Sequence, residues 1–128
     1  FQMWSDIYEF EYEHSISLLV RKSVEQPDDL TEEEYLRLSN YLDLVMNAYL
    51  TQAIMEQQSG LVVGDIVADV PVAARMYFPS RASRVWLRDN DDYLKSYAPR
   101  FHAALVAEIE KLPVATEIPH LERYRRSY

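Results

Sequence analysis

The residues from Thr31 to Gly60 constrain the fold more than any other stretch of the chain. Thr31 is followed by Glu32 and Glu33 and stands three residues before Glu34. Its hydroxyl can accept from a free amide of a first helical turn, while three carboxylates sit at the positive end of the helix dipole. From there Tyr35, Leu38, Leu42, Val45, Tyr49 and Ala53 recur at steps of three and four, which puts them on one face of an α-helix. A second set, Tyr41, Leu44, Ala48 and Met55, widens that face and predicts contact with more than one neighbour. Nothing interrupts the pattern before Ser59-Gly60, where glycine can end the helix. At about 1.5 Å per residue the rod is roughly 40 Å long.

A chain of 128 residues supports one hydrophobic core and is short for two. Only two glycines and 48% apolar residues fit long helices joined by few turns and argue against general disorder. We read one domain over residues 1–112 and an arm or tail over 113–128. The longest uncharged run of the main helix, Leu44 to Met55, has twelve residues and contains Asn47, Thr51 and Gln52. That is below the ~18 residues of a membrane span, so membrane attachment would run only through a segment outside this sequence. The opening Phe1-Gln-Met-Trp4 suits either a start left by a removed signal or anchor, or an apolar end docked on the core. Without cysteine there is no disulfide and no thiolate metal site.

The net charge of −8 is unevenly spread. Residues 1–69 carry fourteen acids against three bases, a balance of −11, whereas residues 70–128 carry ten bases against seven acids, a balance of +3. The halves should attract each other, within the fold or between copies.

Ser5 and Asp6 open a first helix that is expected to run to Gln26 before Pro27, with Tyr8, Tyr12, Ile16, Leu19 and Val24 as its buried stripe. Pro27-Asp28-Asp29 then turns the chain, and so short a link predicts an antiparallel hairpin with the main helix. Leu61-Val-Val-Gly64 reads as a buried connector into a third helix near Asp65, with Pro71 limiting it or in its first turn and Val72, Met76 and Phe78 buried. Ser80 caps a helix from Arg81 to about Asp89, and Asp89-Asn90-Asp91-Asp92 is a turn or the cap of another segment. A last helix begins near Tyr97 with Pro99 in its first turn, turns Phe101, Leu105, Ile109 and Leu112 inward, and stops at Pro113. The whole is an all-α antiparallel hairpin extended to a four- or five-helix bundle.

Three constellations could carry chemistry. Glu11 and His14 have the Glu-x-x-His spacing of carboxylate-bridged metal sites in helical bundles, or form a solvated pair. Arg81, Arg84 and Arg88 form a guanidinium row with Trp86 beside it and Arg75 upstream, which suits an anionic partner or pairing with the chain's own acids. Asn40, Asn47 and Thr51, with Asp43, make a polar strip along the main helix, either across a helix pair or facing water. The acidic balance argues against nucleic acid, because phosphates would be repelled. No phosphate loop, nucleophile elbow or paired histidine ligands occur at helical spacing, and no cofactor is implied. Ten tyrosines fit half-buried packing and partner contacts.

An amphipathic helix, the acidic cap Leu30-Thr-Glu-Glu-Glu-Tyr35, a long helix ending before Gly60, Arg84-Val-Trp-Leu87 and a late helix with Phe101 together resemble small uncharacterised bacterial helical proteins. The resemblance covers roughly residues 15–112. Many of those proteins carry one N-terminal membrane anchor, so the resemblance implies the fold and an anchored setting and no reaction. The expected function is a non-enzymatic protein-interaction module that meets a protein partner or itself. A metal-dependent bundle enzyme using Glu11 and His14, and an acidic inhibitor or DNA mimic using residues 1–69, are the alternatives.

Overall fold

The computed structural model describes residues 2–59 and 66–117. The expected helix stop at Gly60, the connector Leu61–Gly64, the helix start at Asp65 and the basic segment Arg123–Tyr128 lie outside the described residues. Among the described residues seven α-helices follow one another: α1 Gln2–Glu13, α2 Ile16–Glu25, α3 Glu32–Ser59, α4 Val70–Tyr77, α5 Arg81–Asp89, α6 Asp91–Tyr97 and α7 Pro99–Lys111. Short 3-10 turns stand at Pro27–Asp29 and Ile66–Asp69, and there is no strand among the described residues. The protein is all-α.

The rod is α3. Its start is the expected reciprocal cap: the Glu34 amide donates to Thr31 Oγ1 at 3.1 Å and the Thr31 amide donates to Glu34 Oε1 at 3.0 Å. Lys22 Nζ also donates to that carboxylate oxygen at 2.7 Å, which ties α2 to the same point. The Lys22 bond first, then the Thr31 amide, hold the Glu34 carboxyl down at about 2. Around the rod pack α1, α2, α5 and α6, while α4 and α7 pair with each other. Tyr49 joins the two groups. Its ring stands 5.5 Å edge-on from Trp4 of α1, 6.2 Å from Tyr77 of α4, and is stacked 5.4 Å from Phe101 of α7. Burial, and after it the Asp69 carboxylate, push its phenol up to about 12.

The expected single first helix is two. Ser15 takes a left-handed conformation with φ 51° and ψ 44°, which a non-glycine residue adopts only where its surroundings favour it. The His14 carbonyl is met by the Arg37 guanidinium of α3 at 3.1 Å, and the Ser15 carbonyl starts α2 by accepting from the Leu18 and Leu19 amides. The break resets the buried face. Ile7 and Ile16 are buried, whereas Tyr8 and Tyr12, expected inside, are 62% and 87% exposed.

Two other expected core assignments change. Along α3, Leu44 and Met55 are exposed, while Met46 and Leu50 join Leu38, Tyr41, Leu42, Val45, Ala48 and Tyr49 in the core. On α4, Val72 and Met76 face outward because Ala73 and Ala74, both fully buried, are the small side chains against which α7 can approach closely. Phe78, Phe101, Leu105 and Ile109 are buried as expected. The described residues form two helices beyond the five segments read from the sequence, one from the break at Ser15 and one because the acidic stretch is the cap of another segment, α6. Asn90 makes that junction: its amide bonds the Trp86 carbonyl at 3.0 Å, its side chain bonds the same oxygen at 2.9 Å, and its own carbonyl accepts from Leu94.

Candidate functional site

The predicted arginine row is built by α5, whose start is fixed by a Ser80–Ser83 capping box. The three guanidinium groups have different surroundings. Arg84 donates to three main-chain carbonyls, Phe78 from Nε and Leu112 and Pro113 from its terminal nitrogens, each at 3.1 Å. It thereby holds the end of α7 against α5, and burial lowers its pKa. Arg81 is exposed and pairs with Asp28 at 2.7 Å, an ion pair joining the acidic and basic halves of the sequence. Arg88 is exposed and lies 3.5 Å from the carboxylate of its neighbour Asp89. Trp86 is buried and donates its indole N–H to Asp43 Oδ1 of α3 at 2.9 Å. Arg81 and Arg88 are thus exposed and paired with carboxylates, whereas Arg84 and Trp86 position the helix that carries them.

The Trp86–Asp43 bond marks the wall of a feature that the sequence does not announce. An open groove of about 700 Å³ runs between α3, α5 and α6, with Phe10 of α1 at its edge. The α3 wall is the polar strip itself: Asn40, Asp43 and Asn47 line the groove beside the exposed Leu44. Trp86, Asn90 and Tyr93 form the opposite side, and the Tyr93 ring leans on Tyr97 with centroids 4.9 Å apart. The strip crosses to α5 through Asp43, which accepts from the Trp86 indole, while Asn40 and Asn47 are exposed and Thr51 turns back to bond the Asn47 carbonyl of its own helix at 2.9 Å. The signal in the sequence was the Asn40–Asn47 spacing. What no local pattern shows is that α5 packs beside that strip.

Glu11 and His14 are drawn apart chemically. Glu11 Oε1 accepts from the Tyr41 hydroxyl at 2.5 Å, and the His14 ring lies 4.2 Å from the Phe10 ring, at the point where α1 ends. Among the described residues no group of three or more histidine, aspartate or glutamate side chains is placed to hold a metal ion. His102 is mostly buried and meets Asp91 at 2.6 Å across the α6–α7 corner. No described helix is long and apolar enough to cross a membrane.

Comparison of the chain with known protein families, with curated proteins and with solved structures gave no match.

Proposed function

We propose that this chain is a non-enzymatic protein-interaction module whose binding face is the groove along α3, with Arg81 and Arg88 of α5 as charged groups beyond it. The observation that carries this reading is the groove's lining. Leu44 and Tyr93 are exposed there at 36% and 51%, and their apolar surface alternates with the neutral amides of Asn40, Asn47 and Asn90. A surface of that kind suits a protein partner, which brings apolar side chains and unpaired main-chain groups together. Among its described lining residues the titratable groups are Asp43 and Tyr93, which favours recognition over paired acid and base chemistry. The acidic balance of the chain argues for a protein rather than a nucleic acid.

Photo-crosslinking tests this. A benzophenone side chain in place of Leu44 should capture one partner, or a second copy, with a defined stoichiometry. The same group at the exposed Met76 of α4, which is outside the groove, should not capture it. Equal capture from both positions, or turnover of a small substrate by protein that binds no macromolecule, would defeat the reading.

A further inference from the structure

We infer that the groove is the docking site of a segment of this same chain, the basic stretch Arg123-Tyr124-Arg125-Arg126, folded back within one molecule. This rests on the groove being a peptide-binding surface, and three arguments carry it beyond that: chemistry, charge and reach.

Asn40 and Asn47 stand seven positions apart on α3, about 10 Å along its axis. Each exposed carboxamide offers a donor and an acceptor, the pair needed to hold the N–H and C=O of a peptide unit. Their separation matches about three residues of extended chain at ~3.3 Å each. Between and opposite them, the exposed Leu44 and Tyr93 supply apolar and aromatic surface for the methylene stems and guanidinium planes of arginine. Asp43 is fixed through one oxygen by the Trp86 indole and keeps a second oxygen able to accept from a guanidinium.

Charge selects a basic occupant. Asp43 is the one carboxylate among the groove's described lining residues, and the exposed Asp92 stands next to the lining residue Tyr93. Arg88, the nearest cation on α5, is already paired with Asp89. The segment 123–126 brings three arginines in four residues with a tyrosine among them, the densest cationic stretch of the chain.

Reach permits docking within one molecule. The Ala115 amide bonds the Pro79 carbonyl at 2.9 Å, which ties the chain down at the start of α5. Trp86 and Asn90 lie about 10 and 16 Å farther along that helix at 1.5 Å per residue. From Ala115 to Tyr124 the chain can span up to ~30 Å, which covers that distance with slack.

The test uses the full chain. With no native cysteine, Ser127→Cys gives a single position for a nitroxide spin label, and the two tryptophans give two resolvable indole N–H signals in a nitrogen-15 spectrum. Docking predicts loss of the Trp86 indole signal and of the Asn40 and Asn47 carboxamide signals, with a smaller loss at Trp4. It also predicts their recovery when Arg123, Arg125 and Arg126 are changed to Gln. Signals that stay sharp, or losses that persist after neutralisation, would overturn the inference. So would losses seen only when spin-labelled, unenriched chain is mixed with enriched chain, since the segment would then sit on another molecule. The parent reading fails separately: docking observed while Leu44→Asp leaves partner affinity unchanged would limit the groove to this internal role.

Discussion

At the scale of single residues, two side chains report on the fold through their protons. The Glu34 carboxyl, held at about 2 by Lys22 and by the Thr31 cap instead of its ordinary 4.5, is a depressed acid. Its contribution is complete above about pH 4.5 and is lost as pH falls through about 2. Glu34→Gln should flatten the stability profile in that window and leave it little changed in shape near neutrality, which urea unfolding across pH 2 to 7 would read. A wild-type profile with the same slope as the variant would count against the cap geometry. Tyr49 is the opposite case. Its phenol is raised from 10.0 to about 12, so its contribution is present below about pH 10 and disappears as pH rises through about 12. Tyr49→Phe should remove that alkaline loss. Tyr49→Ala should cost about 3 to 5 kcal/mol, because it empties a site shared by Trp4, Tyr77 and Phe101. The cap was legible in the sequence, since Thr31 and Glu34 stand at the spacing that local hydrogen bonds demand. The role of Tyr49 as the meeting point of three helices was not, because periodicity shows which face is buried and not what covers it.

At the scale of elements, α3, α5 and α7 follow from short-range rules: a capping residue, a three-and-four repeat, and Pro99 in the first turn of α7. The first helix defeats those rules. No glycine or proline stands near Ser15, and the break is supported from outside, by the Arg37 side chain on the His14 carbonyl. A contact between residues 23 positions apart leaves no mark in a local pattern, and that pattern alone puts Tyr8 and Tyr12 inside. Arg84 shows the same limit. Read as part of a binding row, it is a clasp on the carbonyls of Phe78, Leu112 and Pro113. Arg84→Ala should therefore destabilise the fold by about 2 to 4 kcal/mol, given ~1.5 to 3 for a hydrogen bond from a charged donor and incomplete additivity. Arg84→Lys should recover only part of this, lacking the fork of donors. By contrast, Arg81→Glu with Arg88→Glu, at exposed positions, should change stability by less than about 1 kcal/mol. That double variant should act instead on the association rate and its salt dependence. If thermal unfolding ranked these substitutions the other way, the division between clasp and exposed cations would be wrong.

At the scale of the molecule, one rod divides the protein into a dry side and an open side. The dry side holds Leu42, Val45 and Met46 against the surrounding helices. The open side carries the asparagine and aspartate strip that faces the groove. The opposite charges of the two sequence halves meet at Arg81 and Asp28. The most direct test is the affinity of a partner recovered through residue 44, measured by calorimetry for the wild type and for Leu44→Asp, with circular dichroism confirming that both are folded. The account predicts at least about a tenfold loss of affinity, ~1.4 kcal/mol, with helix content unchanged. Equal affinities in two equally helical proteins would contradict it.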